Sequence, residues 1–175
     1  MPSNVDTFGW STVYAASFPV VNRAIAKQKS FPPSFSYTDS TDVRIAGDWE
    51  SWQLSGGGGQ YLQLTCVVKS GSMTGLAQPE GSGNLQAAKV IVQVQMEKIK
   101  DPSAAFKDDT AVPGTGVAHV LKVRYGSSNN EPAVTVMSGS TYPQVTSELF
   151  KDLVSEIFGK WLTRISASSR TYLAL

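Results

Sequence analysis

The sequence predicts an α+β fold, one antiparallel sheet covered by helices, on three observations. A helix with proline in its first turn starts near residue 18, the middle of the chain alternates apolar and polar residues with a period of two, and the last third carries a wide apolar stripe at helical spacing. At 175 residues the chain is long enough for one sizeable core, whereas two cores would each be small, so a single domain spanning 1–175 is expected.

In "SFPVVNRAIAKQK", Ser17 suits an N-cap and Pro19 a first helical turn, where its missing N–H is not needed. A helix over 18–29 places Val21, Ala24, Ile25 and Gln28 on one face and Arg23, Lys27 and Lys29 elsewhere. "SFPPSF" ends it, because proline neither donates nor continues the turn. Upstream, "GWSTVYAA" alternates in a way that fits a strand.

"DVRIAGDWESWQL" and "QYLQLTCVVK" flank "SGGGG" and read as a hairpin, the second strand placing Leu62, Leu64, Cys66 and Val68 on one face. Trp49 and Trp52, three residues apart, face opposite sides of such a strand unless a bulge intervenes. In "LQAAKVIVQVQMEKI" the residues Ala88, Val90, Val92, Val94 and Met96 oppose Lys89, Ile91, Gln93, Gln95 and Glu97. After the loop "KDPSAAFKDDTAVPGTG" come "VAHVLKVRY" and "PAVTVMS", joined by the turn-forming "GSSNNE" in an antiparallel meander. The last element, "YPQVTSELFKDLVSEIFGKWLTRI", aligns Leu149, Phe150, Leu153, Val154, Ile157, Phe158, Trp161 and Leu162. Its polar face carries Glu148, Asp152 and Glu156 rather than the basic rows of a membrane-surface helix, which favours a helix packed on the sheet.

Composition removes several function classes. Fifteen basic and fourteen acidic residues leave a net charge of +1, which provides no field to attract nucleic acid. Cys66 has no second cysteine to pair with and, within an alternating strand, reads as a small buried hydrophobe. One Cys and one His do not make a zinc set, no calcium loop is present, and the adjacent acids Asp108 and Asp109 suit a solvated turn, so no metal or other cofactor is expected. His119 sits among aliphatic residues without a serine elbow to serve, so no catalytic residue is assigned. Gly56 to Gly59 open a strand rather than a helix, unlike a phosphate-binding loop. No secretory leader and no membrane span is read, which places the chain in the cytoplasm or outside the cell by leaderless release.

What remains is an excess of apolar surface on two helices and one sheet face, compatible with a cavity for a hydrophobic ligand. The opening stretch adds a resemblance. Phe8-Gly9-Trp10, Val13-Tyr14-Ala15, Val21-Asn22 and Ala24-Ile25 with the following Lys27 resemble the N-terminus of the OrfX-type TULIP (tubular lipid-binding) proteins encoded beside botulinum neurotoxins, and "LFKDLVSEIFGKWL" is similar to that family's domain-closing helix. The resemblance implies a strongly twisted antiparallel β-sheet wrapped around a long helix, no catalytic residues, and binding of a lipid or other hydrophobic ligand in an apolar tube. Family members are longer, so the chain corresponds either to a single TULIP-like domain or to an N-terminal portion of the longer pattern.

Under that reading the hydrophobic lining comprises Ile25, Val92, Val94, Leu153 and Ile157, with Arg23 and Lys27 at a head group. The alternative is a structural or partner-binding component of a toxin-associated assembly with a self-filled core, its partner a second copy or another protein of the toxin cluster.

Overall fold

A computed structural model describes residues 17–29, 31–75, 83–100, 119–123 and 134–168, with the backbone alone for 97–100, 119–123 and 166–168. The segments "FGWSTVYA", "KDD" and "GSSNNE" lie outside the described residues, as does the side chain of His119. Among the described residues there are two helices and six strands, in the expected order except that β1 was not expected: α1 (Phe18–Gln28), β1 (Ser34–Thr38), β2 (Arg44–Gly58), β3 (Tyr61–Thr74), β4 (Lys89–Lys100), β5 (His119–Val123), β6 (Val134–Val136) and α2 (Glu148–Ser168). The strands form one curled, twisted antiparallel half-barrel in the order β1-β2-β3-β4, with β5 and β6 both on β4.

β5 and β6 do not pair with each other as a meander would require. Val123 pairs with Met96 and Val134 with Val94, so the two strands lie end to end along one edge of β4. That edge is covered further by a two-way exchange between Lys89 and Thr141, and at Ile91 by Met137 and the Ser140 hydroxyl. Every backbone group satisfied this way is one fewer template for stray pairing.

The outer edge of β2 is sealed by three different devices. β1 covers Arg44 to Asp48, the Pro33 carbonyl accepts from Trp49 N–H at 3.0 Å, and the Asn22 side chain of α1 reaches Leu54. Asn22 Oδ1 accepts from Leu54 N–H at 2.7 Å and its Nδ2 donates to Leu54 O at 3.0 Å, so one carboxamide reproduces the pairing of a missing strand. Asn22→Ala strands both groups, and a loss of roughly 1–3 kcal/mol is expected. Hydrogen exchange at the Leu54 amide should quicken selectively; unchanged protection there would show that the contact holds nothing.

α1 begins as expected, with extended Ser17 before it and Pro19 in the first turn, and the Ser17 carbonyl rather than its hydroxyl receives Val20 and Val21 N–H. Ile25 is buried and Val21 half-buried, whereas Ala24 and Gln28 are exposed, because α1 lies along a sheet edge and not across a face.

The core lies between the concave sheet face and α2. From the sheet come Leu64, Cys66, Val68, Val90, Val92 and Val94, and from α2 Val154, Ile157, Phe158, Trp161 and Leu162. Trp49 and Trp52 both point inward, their rings 5.6 Å apart, because register shifts on either side of Trp49 insert the bulge that a shared face demands. Phe35 lies over Gly47 and Gly71, which sit side by side with it across β1, β2 and β3, and its ring meets Trp49, Phe158 and Trp161. Cys66 is wholly buried and burial pushes its thiol well above the ordinary range. A thiol reagent should therefore modify it only at the rate of unfolding; rapid labelling of folded protein would contradict this placement.

Candidate binding groove

α2 closes the half-barrel and touches β1 at one end of the sheet and β6 at the other. Its apolar stripe faces inward, with Val154, Ile157 and Phe158 completely buried, and Leu149 projects beyond the sheet at 76% exposure. Part of the polar side of the helix forms the floor of an open groove.

That groove has a volume of about 660 Å³. Ser155, Glu156, Gly159, Lys160, Thr163 and Arg164 of α2 form its floor, Val134 to Val136 of β6 one wall, and Tyr37 of β1 contributes from the opposite edge. From Ser155 to Arg164 the helix rises about 13 Å, which sets the length of the floor. Tyr142, anchored in the core, binds the Ser155 hydroxyl at 2.8 Å and so fixes the helix beside the last strand.

The charges are unevenly engaged. Lys160 Nζ lies 2.7 Å from Glu156 and 3.8 Å from Asp39 of the β1–β2 turn, while Arg164 has no ion-pair partner among the described residues. The Asp39 carboxylate accepts from the Thr41 hydroxyl at 2.7 Å, from Thr41 N–H at 2.8 Å and from Val43 N–H at 3.1 Å. These bonds, the hydroxyl foremost, hold its carboxyl below the usual carboxylate range against the opposing effect of burial, and Lys160 adds to the lowering. A depressed folded value means stability that is complete above the usual carboxylate range and lost as pH falls through the folded value. Acid should therefore loosen the 39–43 turn, and Asp39→Asn should flatten the stability profile in that window; an unchanged profile would show that the turn does not depend on the charge.

Gly159 stands in mid-helix, where glycine costs roughly 0.5–1 kcal/mol relative to alanine. Among the described residues a Cβ there would meet only Val136, at 3.8 Å, so their packing does not require a glycine. Its carbonyl also receives the Thr163 hydroxyl at 2.8 Å.

None of the seven residues expected to bind a ligand lines this groove. Ile25, Val92, Val94 and Ile157 lie buried and Leu153 half-buried, four of them in the packed region behind α2, while Arg23 and Lys27 are exposed on α1. The interior holds one polar anomaly: among the described residues, the buried indole N–H groups of Trp49 and Trp52 find no acceptor. An unmade bond of this kind costs roughly 1–3 kcal/mol. Sequence reading missed the groove because its residues are the polar complement of the stripe that was legible; the glycine in "SEIFGKWLTR" was the available signal.

Among the described residues no three His, Cys, Asp or Glu side chains gather as for a metal ion, and no helix is long and apolar enough to cross a membrane. No protein-family model matches the chain. OrfX3 of Paraclostridium bifermentans is 27% identical over 175 aligned residues, covering 90% of this chain and 34% of its own length. OrfX3 of Clostridium botulinum (strain Kyoto / Type A2) is 28% identical over 138 residues, covering 77% and 27%. P47 from Clostridium botulinum A2 superposes with a TM-score of 0.57 at 17% identity over 82% of this chain and 32% of that structure.

The chain is homologous to the OrfX-type TULIP proteins.

P47 of Clostridium botulinum E1 gives the same TM-score of 0.57 at 16% identity, over 85% of this chain and 32% of that one. The OrfX-type resemblance read from the opening stretch and the closing helix is thus borne out, and the P47 structures share the curled sheet closed by a helix. The chain spans about a third or less of the length of the relatives it matches.

Proposed function

We propose that this OrfX-type chain is a non-enzymatic module that binds a lipid or other hydrophobic ligand between its sheet and helices. The observation that carries the reading is the open groove beside α2, whose volume of about 660 Å³ lies within the range of small-molecule sites. Apolar walls from β6 lie there beside a cation with no carboxylate partner among the described residues, a combination suited to an amphiphile. Homology to OrfX3 supports the general role and names no ligand.

In a deeper form of the same reading, an acyl chain passing beneath α2 would contact Val92, Val94, Leu153 and Ile157, and at the α1 end Ile25. Each buried methylene would contribute about 0.8 kcal/mol. A ligand carbonyl could then satisfy the indole N–H groups of Trp49 and Trp52, and Arg23 and Lys27 would meet the head group.

A second reading has its own support. The described interior is filled by the chain's own side chains, and the relatives are about three times longer, as expected of a scaffold unit that docks against a second copy or a toxin-cluster protein. Native mass spectrometry of freshly purified protein, followed by organic extraction, separates the two. A stoichiometric lipid adduct supports the carrier; a clean apo mass, in protein that also takes up no added amphiphile, removes lipid binding and leaves the scaffold.

A further inference from the structure

Resting on the lipid-binding reading, we infer that the groove along α2 is the primary site and that it takes a single-chain amphiphile with an anionic head, held head-first at Arg164. The ligand chain lies back along Gly159 and Val136 toward Ser155. Three independent features converge on this arrangement. Arg164 is the one groove cation with no ion pair among the described residues, since Lys160 is held by Glu156 and Asp39. An anion arriving there finds a guanidinium that no described carboxylate engages, and it displaces no ion pair among the described residues.

Gly159 supplies the second feature. Nothing in the described chain occupies the space its side chain would fill, and Val136 stands 3.8 Å from the virtual Cβ, so a slender apolar body fits against the helix backbone. The third is shape: the floor is one helix stripe about 13 Å long, with Val134 and Val136 of β6 along one side and Tyr37 of β1 at the opposite edge. A single acyl chain matches such a trough, whereas a two-chain lipid would leave its second chain in water.

The probes are oleate, lysophosphatidic acid and the uncharged monoolein, each below its micelle-forming concentration. Binding is followed by titration calorimetry and by amide shifts of 15N-labelled protein. Oleate or lysophosphatidic acid should shift amides of 134–136 and 155–164, and whichever binds more tightly identifies carboxylate or phosphate as the preferred head. Arg164→Gln, an exposed change that leaves the core intact, should weaken the charged probes about tenfold, as for one charge-assisted hydrogen bond. Gly159→Leu should abolish their binding while leaving the thermal transition in place. Monoolein binding as tightly as oleate would overturn the anionic head.

Shifts centred on Val92, Val94 and Ile157, with both variants binding like the parent, would overturn the groove while sparing the lipid-binding reading. Silence from all three probes together with a lipid-free native mass would overturn both.

Discussion

Phe158→Ala is expected to destabilise the protein by about 3–5 kcal/mol, the usual loss for truncating a fully enclosed phenylalanine. Phe158 has no exposed surface and packs against the aromatic core, with its ring 5.1 Å from Phe35 and 5.5 Å from Trp49. Removing it leaves both partners facing a void that neither the curled sheet nor α2 can close without shifting the helix. Leu149, on the same predicted stripe but 76% exposed, provides the comparison: its alanine variant should stay within about 0.5 kcal/mol of the parent. Chemical denaturation of the two variants checks both numbers. Equal losses would mean that α2 does not dock as described.

Gly47→Ala should be comparably damaging although it adds a single methyl group. The new Cβ would stand 2.6 Å from Gly71 Cα and 2.7 Å from Phe35 Cζ, and closer still to the Ser70 carbonyl oxygen. Two of those three neighbours are backbone, which cannot rotate away, so the cost is expected at about 3 kcal/mol, the upper part of the overpacking range. Gly58, at the hairpin tip with no described atom within 4 Å of its virtual Cβ, should accept alanine with little effect. Should both variants unfold at the same denaturant concentration, the close approach of β2 and β3 at Gly47 would be refuted.

The parts of this fold legible in the sequence are those governed by local periodicity. Alternation in 88–96 placed Ala88, Val90, Val92, Val94 and Met96 in the core correctly, because a strand between two partners has one inward face regardless of what lies elsewhere. Gln95 is buried as well, near the end of the β3–β4 pairing, where Tyr61 is its partner, a position that alternation does not report.

Features set by distant partners were not legible. Whether Trp49 and Trp52 share a face depends on how β3 pairs across the bulge, and whether Asn22 is a surface residue or a surrogate strand depends on Leu54, 32 positions away. The turn-rich "GSSNNE" suggested a hairpin, yet whether β5 and β6 pair with each other or succeed one another on β4 is decided by β4. For the candidate site, an apolar search finds the interior and passes over a trough made of serine, threonine, glycine and charged residues.

The end-to-end arrangement of β5 and β6 also marks a practical opening in the chain. β5 ends opposite Met96 and β6 begins opposite Val94, so the ladder on either side is fixed independently of what joins the two strands. Loop closure becomes only slowly less favourable with length. A reporter peptide or a small folded tag spliced there would add bulk without moving any residue to the wrong face of the sheet. Because it would enter at the edge strand that walls the groove, such a tag would also report occupancy from close by.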